Sequence, residues 1–134
     1  MPLSFRPLNA YERELLERLL EPAFPGRPEL RGQMESLTAA DLHKDGTVAL
    51  HCSSGQPAPV KSRVPTEGEC PDADGVPIHI LLHVADGFMR ELEIYKSDLS
   101  CILKSPAARD LVLFTPHEEA GVEWPGEEPK TGGA

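Results

Sequence analysis

The 134-residue chain is expected to form a single α+β domain, with two N-terminal helices packed on one face of a mainly antiparallel five-stranded sheet. Three observations predict this fold. Apolar residues recur at helical spacing before about Thr38, they alternate with polar residues from there to Tyr95, and short loops containing glycine join the alternating runs. An apolar fraction of 40% is enough to bury a core, while 14 Pro and 11 Gly call for generous loops. The domain is expected to span residues 1–114 and to be followed by a mobile, acidic, Gly/Pro-rich tail at 115–134, where Val122 and Trp124 are the anchor candidates.

The first helix is the most strongly specified element. Asn9 stands as N-cap with Glu12 three residues later, a variant of the capping box, and Tyr11, Leu15, Leu16, Leu19 and Leu20 share one face. Glu21-Pro22-Ala23-Phe24-Pro25-Gly26 stops it. Pro28 then opens a second helix carrying Leu30, Met34 and Leu37 at i, i+4 and i+7, weakened by Gly32.

The period changes next. Ala40, Leu42, Val48, Leu50 and Cys52 alternate on either side of Lys44-Asp45-Gly46, which reads as a bulged hairpin. Val60, Ser62 and Val64 alternate with Lys61 and Arg63 between prolines, which suits an edge strand. Val76, Ile78, Ile80, Leu82 and Val84 alternate with His79, Leu81 and His83, and after Ala85-Asp86-Gly87 the alternation resumes as Phe88, Leu92 and Ile94 against Met89, Glu91, Glu93 and Tyr95. Leu111 to Phe114 is a last apolar run.

Charge and motifs remove several function classes. With 13 Lys plus Arg against 22 Asp plus Glu the net charge is −9, which repels a phosphate backbone, so nucleic acid is not an expected partner. The longest purely apolar run, Leu111-Val112-Leu113-Phe114, is too short to cross a bilayer, and Met-Pro-Leu-Ser-Phe-Arg lacks the form of a signal peptide, so no membrane association and a cytoplasmic location are expected. Cys52, Cys70 and Cys101 are odd in number and widely spaced, so reduced thiols are the default. No Gly-x-Ser-x-Gly elbow and no glycine-rich nucleotide loop occurs.

The residues able to carry chemistry gather on the polar side of the second hairpin. If Val84 pairs with Phe88, then His83 lies opposite Met89, Leu81 opposite Glu91, His79 opposite Glu93 and Pro77 opposite Tyr95. Opposed His79 and Glu93 suit a carboxylate that orients an imidazole, so the catalytic candidates are His79, Glu93, Glu91 and Tyr95, with His83 beside them. The alternative account of this set is a solvated sheet face, and it is the favoured one. On a strand His79 and His83 lie about 13 Å apart, at about 3.3 Å per residue, so they do not share one ion.

Lys61 and Arg63, with His43 and His51, would complete that surface by cross-strand pairing with Glu91 or Glu93. Glu67, Glu69, Asp72 and Asp74 make an acidic loop whose Asp72-Ala73-Asp74-Gly75 opens like a calcium loop but lacks the further ligands and the closing Glu. No cofactor and no metal are expected.

Glu91-Leu92-Glu93-Ile94-Tyr95-Lys96-Ser97-Asp98-Leu99-Ser100, followed by Ile102, Leu103, Lys104 and Pro106, resembles a bacterial domain family of unknown function. Its members carry a similar acidic Asp-x-Asp-Gly turn and apolar strand before that stretch, here Asp72 to Gly75 and Val76 to Val84. Arg6-Pro7-Leu8 with Glu12 and the Leu-Leu pairs is similar to the family's opening, so the resemblance spans residues 5 to 114. Cys101 stands where the family has Pro, and Leu99 where it has an aromatic residue. The resemblance implies no activity; in physical terms the stretch is expected to be the central strand and its exit turn, with Leu92 and Ile94 in the core and Tyr95, Lys96 and Asp98 fixing the chain reversal.

The expected function is therefore a small non-catalytic protein-binding module, of the accessory or immunity type, that uses the acidic loop and polar sheet face. Its binding residues would be His83, Lys61, Arg63, Asp72 and Asp74, and its partner a protein with basic surface. The alternative is a small acid/base or metal-dependent enzyme using His79 and Glu93. Homodimerisation through a sheet edge or the helical face is a third expectation.

Overall fold

The computed structural model describes residues 2–116; Val122, Trp124 and nearly all of the expected tail lie outside the described residues. Seven strands form one sheet, not five. Along the chain β1 is Arg6–Pro7, α1 Ala10–Leu19, α2 Arg27–Gln33, β2 Leu37–Asp41, β3 Val48–Cys52, β4 Thr66–Pro71, β5 Pro77–Ala85, β6 Phe88–Lys96 and β7 Val112–Phe114. The order across the sheet is β1-β2-β3-β6-β5-β4-β7, with antiparallel pairing throughout.

The expected architecture of two N-terminal helices on a five-stranded sheet is thus overturned. A strand precedes α1, both helices are short, and the sheet dominates the described chain. The extra strands at the two edges, β1 and β7, have two and three residues, too short to show any period in sequence. Their shortness also limits the backbone that the sheet leaves unpaired at its margins.

The Val60 to Val64 segment is not a strand. It crosses the end of the β5–β6 hairpin and touches it at isolated points, where Ala58 N–H donates to Gly87 O at 2.8 Å and Val84 N–H to Arg63 O at 2.8 Å. Proline removes the amide hydrogen needed for a ladder at Pro57, Pro59 and Pro65. The strand beside β5 is instead β4, whose inward residues Thr66, Gly68 and Cys70 are small. Gly68 sits in a tight contact, since a Cβ there would stand 3.2 Å from Leu111 Cδ1 and that side chain would have to give by a few tenths of an ångström.

In α1 the cap has the anticipated form: Glu12 N–H donates to Asn9 Oδ1 at 2.7 Å and Asn9 N–H to Glu12 Oε1 at 3.0 Å. Arg6 adds two hydrogen bonds of 2.9 Å to the same carboxylate, tying β1 to the helix start. The second helix is cut short: a 3₁₀ turn, Met34–Ser36, follows Gln33, and Leu37 begins β2. Leu15, Leu16, Leu19, Leu20 and Leu30 share one buried cluster with Ile78, Ile80, Leu82, Leu92 and Ile94.

The β5–β6 register also differs from expectation. The turn is the two-residue pair Asp86-Gly87, both at positive φ (54° and 86°), and it brings Ala85 opposite Phe88. A bulge then intervenes: Val84 faces Met89 but His83 faces Glu91, leaving Arg90 without a partner. Turn and bulge each advance the register by one, so His79 lies opposite Tyr95 and Leu81 opposite Glu93. Beyond the bulge the net shift of two preserves the faces, whereas between turn and bulge the shift of one turns Met89, expected on the outer face, into the core. The bulge also lets Met89 and Leu92, three residues apart, both point into the core.

Candidate functional site

Strand alternation and the pairing registers define the outer face of the sheet, opposite the leucines of α1 and α2. One row across the strands reads Val112, Glu69, His79 and Tyr95; the next reads Phe114, Glu67, Leu81 and Glu93. A third brings His83 and Glu91 beside Ala49. Four glutamates thus share one open surface, and none of them forms an ion pair with Lys or Arg among the described residues. Large apolar groups stand beside them, with Val112 61% and Phe114 44% exposed.

The closest convergence is His83, Glu91 and Glu93. Each offers one ligand atom, and these atoms all lie within 4.8 Å of one another. His83 Nε2 is 2.7 Å from Glu93 Oε1, with side chains 17% and 36% exposed, while His83 Nδ1 is buried without a hydrogen-bond partner. The bulge at Arg90 creates this set. Without it the register of the turn would continue, and Glu91 would oppose Leu82 on the core side.

His79 does not meet Glu93. Its Nε2 lies 2.6 Å from Ser97 Oγ, its Nδ1 lies 3.8 Å from Glu69 Oε1, and its ring stacks on Tyr95 at 4.9 Å between centroids. The structure therefore divides the anticipated cluster in two, pairing Glu93 and Glu91 with His83, and Tyr95 with His79. The anticipated bridges from Lys61 and Arg63 to Glu91 or Glu93 are not formed, and both basic residues stand exposed on the proline-rich crossing segment. His51, two residues from Ala49 on β3, stays on the outer face, with its ring 5.8 Å from that of Phe5.

The acidic loop has a structural occupation. Asp72 closes the turn between β4 and β5, and its carboxylate accepts from Ala73, Leu103 and Lys104 N–H at 2.7, 2.7 and 3.0 Å. Lys96 reaches it from β6, with Nζ 2.9 Å from Asp72 and 2.7 Å from Asp74; the Lys96 and Asp72 side chains are 1% and 0% exposed. Burial opposes ionisation of Asp72, but the Leu103 amide, the Lys96 ammonium and the other two amides outweigh it and hold the carboxyl well below the usual range. The Lys96 hydrogen bond is the main cause of a lowered value at Asp74. The same pair, Asp74 first, raises Lys96.

Of the three residues expected to fix the chain reversal, Lys96 and Asp98 do so. Lys96 holds the segment after β6 against the Asp72 turn, while Asp98 Oδ1 accepts from Ser100 N–H and Oγ–H at 3.0 and 2.6 Å. Tyr95 stays on the sheet face. Sequence reading placed Leu81 on that face but missed Glu67, Phe114 and Val112, and strict alternation around Gly68 was the signal available for the first of them.

Further grooves lie elsewhere among the described residues, two of them the larger. One of about 840 Å³, lined by Arg6, Tyr11, Glu12, Asp41 and Lys44, sits on the helix side. Its arginine is already committed to Glu12 and Asp41. A second, of about 480 Å³, is bounded by Tyr95, Lys96, Leu99 and Cys101. Among the described residues no helix is long and apolar enough to cross a membrane.

A family model described as a domain of unknown function matches residues 5–106. That is shorter at its C-terminal end than the anticipated span to residue 114 and leaves out β7. No curated protein and no solved structure matches the chain. Since the match takes in every element from β1 to β6, together with the Asp72 turn and Lys96, the chain belongs to the family Domain of unknown function (DUF6984).

Proposed function

We propose that this chain is a small non-catalytic protein-binding module, of the accessory or immunity type, that docks a partner of basic surface on the outer face of its sheet. One observation carries the reading: Glu67, Glu69, Glu91 and Glu93 share that open face without a Lys or Arg partner among the described residues. Uncompensated carboxylates beside exposed Val112 and Phe114 suit an interface whose apolar anchors supply affinity and whose charge speeds and selects encounter. Asp72 is withdrawn from this role by burial, whereas Asp74, 40% exposed, extends the acidic surface at its margin. His83 stands on the same surface and would orient the partner, whereas Lys61 and Arg63 stand exposed on the crossing segment, Lys61 beside Phe24 and Pro25. A reducing, cytoplasmic setting fits the three free cysteines.

Self-association through this face is disfavoured, because two copies would oppose like charges. The test is affinity capture from native lysate with the wild-type chain and with a Glu67→Lys/Glu69→Lys variant, followed by native mass spectrometry of each eluate. The expected result is a basic partner that leaves with rising salt and is absent from the variant's eluate. A partner retained equally by the variant would overturn the assignment of the face, and a salt-insensitive homodimer would replace it with self-association.

A further inference from the structure

We infer that His83, Glu91 and Glu93 form a binding site for one divalent transition-metal ion of borderline character, with zinc as its representative. The inference stands apart from the protein-binding reading and holds whether or not a partner exists. Four features of the structure point to it.

The first is convergence. An imidazole nitrogen and two carboxylate oxygens, from two neighbouring strands, lie within 4.8 Å of one another. Tetrahedral ligands at about 2.1 Å from zinc stand about 3.4 Å apart, so the set is nearly at coordination distance. The contact between His83 Nε2 and Glu93 Oε1, now 2.7 Å, would open by several tenths of an ångström as the ion replaces the shared proton. Both carboxylates are only partly buried, which leaves them room for that shift.

The second feature is charge. Glu91 and Glu93 lie two residues apart on one strand face, and no Lys or Arg pairs with either among the described residues. Arg90, the nearest basic residue in sequence, has its guanidinium over the Phe88 ring at 5.7 Å. A divalent cation supplies the compensation that the protein does not.

The third feature is the bulge. Extra residues next to a binding site commonly re-aim side chains, and this one puts Glu91 directly opposite His83. The fourth is the imidazole itself. Its Nε2 already faces the Glu93 carboxylate at 2.7 Å, so the nitrogen is aimed at the position the ion would take. An ion on Nε2 would lock both the ring and its tautomer.

The donor set selects the class of ion. Calcium takes six to eight oxygens and magnesium prefers an octahedral oxygen shell, whereas one imidazole with two carboxylates suits zinc or manganese. Three protein ligands leave the fourth position on the solvent side, open to water or to a donor group brought by a partner.

The experiment is isothermal titration of the full-length, tag-free chain, pretreated with chelator, using zinc chloride, manganese chloride and magnesium chloride in separate runs. Cobalt(II) absorption would report the coordination geometry. The expected result is one zinc per chain, zinc or manganese at least tenfold tighter than magnesium, and a tenfold or greater loss in Glu91→Gln and in Glu93→Gln. These two variants preserve side-chain shape, so their folding is secure where that of His83→Ala is less so, and far-ultraviolet circular dichroism checks all three. His79→Ala is expected to bind as the wild type does. Absence of zinc and manganese binding, equal binding by magnesium, or zinc affinity unchanged in both glutamine variants would each overturn the site.

Discussion

Gly75 and Gly87 share the same φ of 86°, but their surroundings differ completely. Around Gly75 a Cβ would meet nothing within 4 Å, whereas at Gly87 it would stand 2.6 Å from Pro57 Cβ and 2.9 Å from both Ala58 N and Pro57 Cα. Gly75→Ala therefore measures the left-handed backbone alone, about 1–2 kcal/mol. Gly87→Ala adds an overpacking cost of about 1–3 kcal/mol, because two of the three obstructing atoms are backbone and cannot turn aside. It also disturbs a carbonyl that accepts from Ala58 N–H and from Gln33 Nε2, each at 2.8 Å, and each such bond contributes about 0.5–1.5 kcal/mol net.

The expected losses are about 1–2 kcal/mol for Gly75→Ala and about 2–5 kcal/mol for Gly87→Ala before any loss at its carbonyl. Urea denaturation followed by circular dichroism measures both, and equal m-values in the two variants would license the comparison. If Gly87→Ala lost no more than Gly75→Ala, the crossing segment would not rest on the hairpin tip. The account of residues 53–65 as a docked loop in place of an edge strand would then fail.

Three further outcomes follow from the structure. Asn9→Ala removes the cap at α1 and is expected to cost about 1 kcal/mol by the same denaturation assay, while a change within error would show that Arg6 alone holds the helix start. Asp72, Asp74 and Glu12 all have carboxyls lowered in the fold, so the unfolded chain binds more protons in acid. Their contribution is present at neutral pH, begins to fall near the ordinary carboxylate value of about 4 and vanishes below the folded values; a urea midpoint unchanged between about pH 6 and pH 3 would contradict this. Lys96→Met leaves Asp72 buried with amide donors and no cation. Hydrogen exchange should then accelerate at the Leu103 and Lys104 amides, which bond to Asp72, and not in Lys61→Met; equal exchange in the two variants would deny Lys96 its structural role.

Local signals in the chain carried a definite part of this account. The Asn9 to Glu12 box, the leucine face of α1 and the long alternation of β5 each rest on neighbours a few residues apart, so they were legible without tertiary knowledge. The outer-face membership of His79, His83, Glu91, Glu93 and Tyr95 was legible for the same reason, since alternation alone sorts residues to faces. The Asp72 turn and Lys96 were visible as a motif, but their union needed three chain segments to meet.

Other features were decided only by long-range contacts. β1 and β7 are too short to show a period, and β4 hides its strand character because its inward residues Thr66, Gly68 and Cys70 carry no large apolar side chain. Which histidine meets which glutamate depended on a two-residue turn and a single unpaired Arg90. Each advances the register by one, so beyond the bulge the faces survived while the partners changed, and before the bulge Met89 turned from the expected outer face into the core. Sequence period determines the side of a sheet on which a residue stands; only the folded ladder determines what stands across from it.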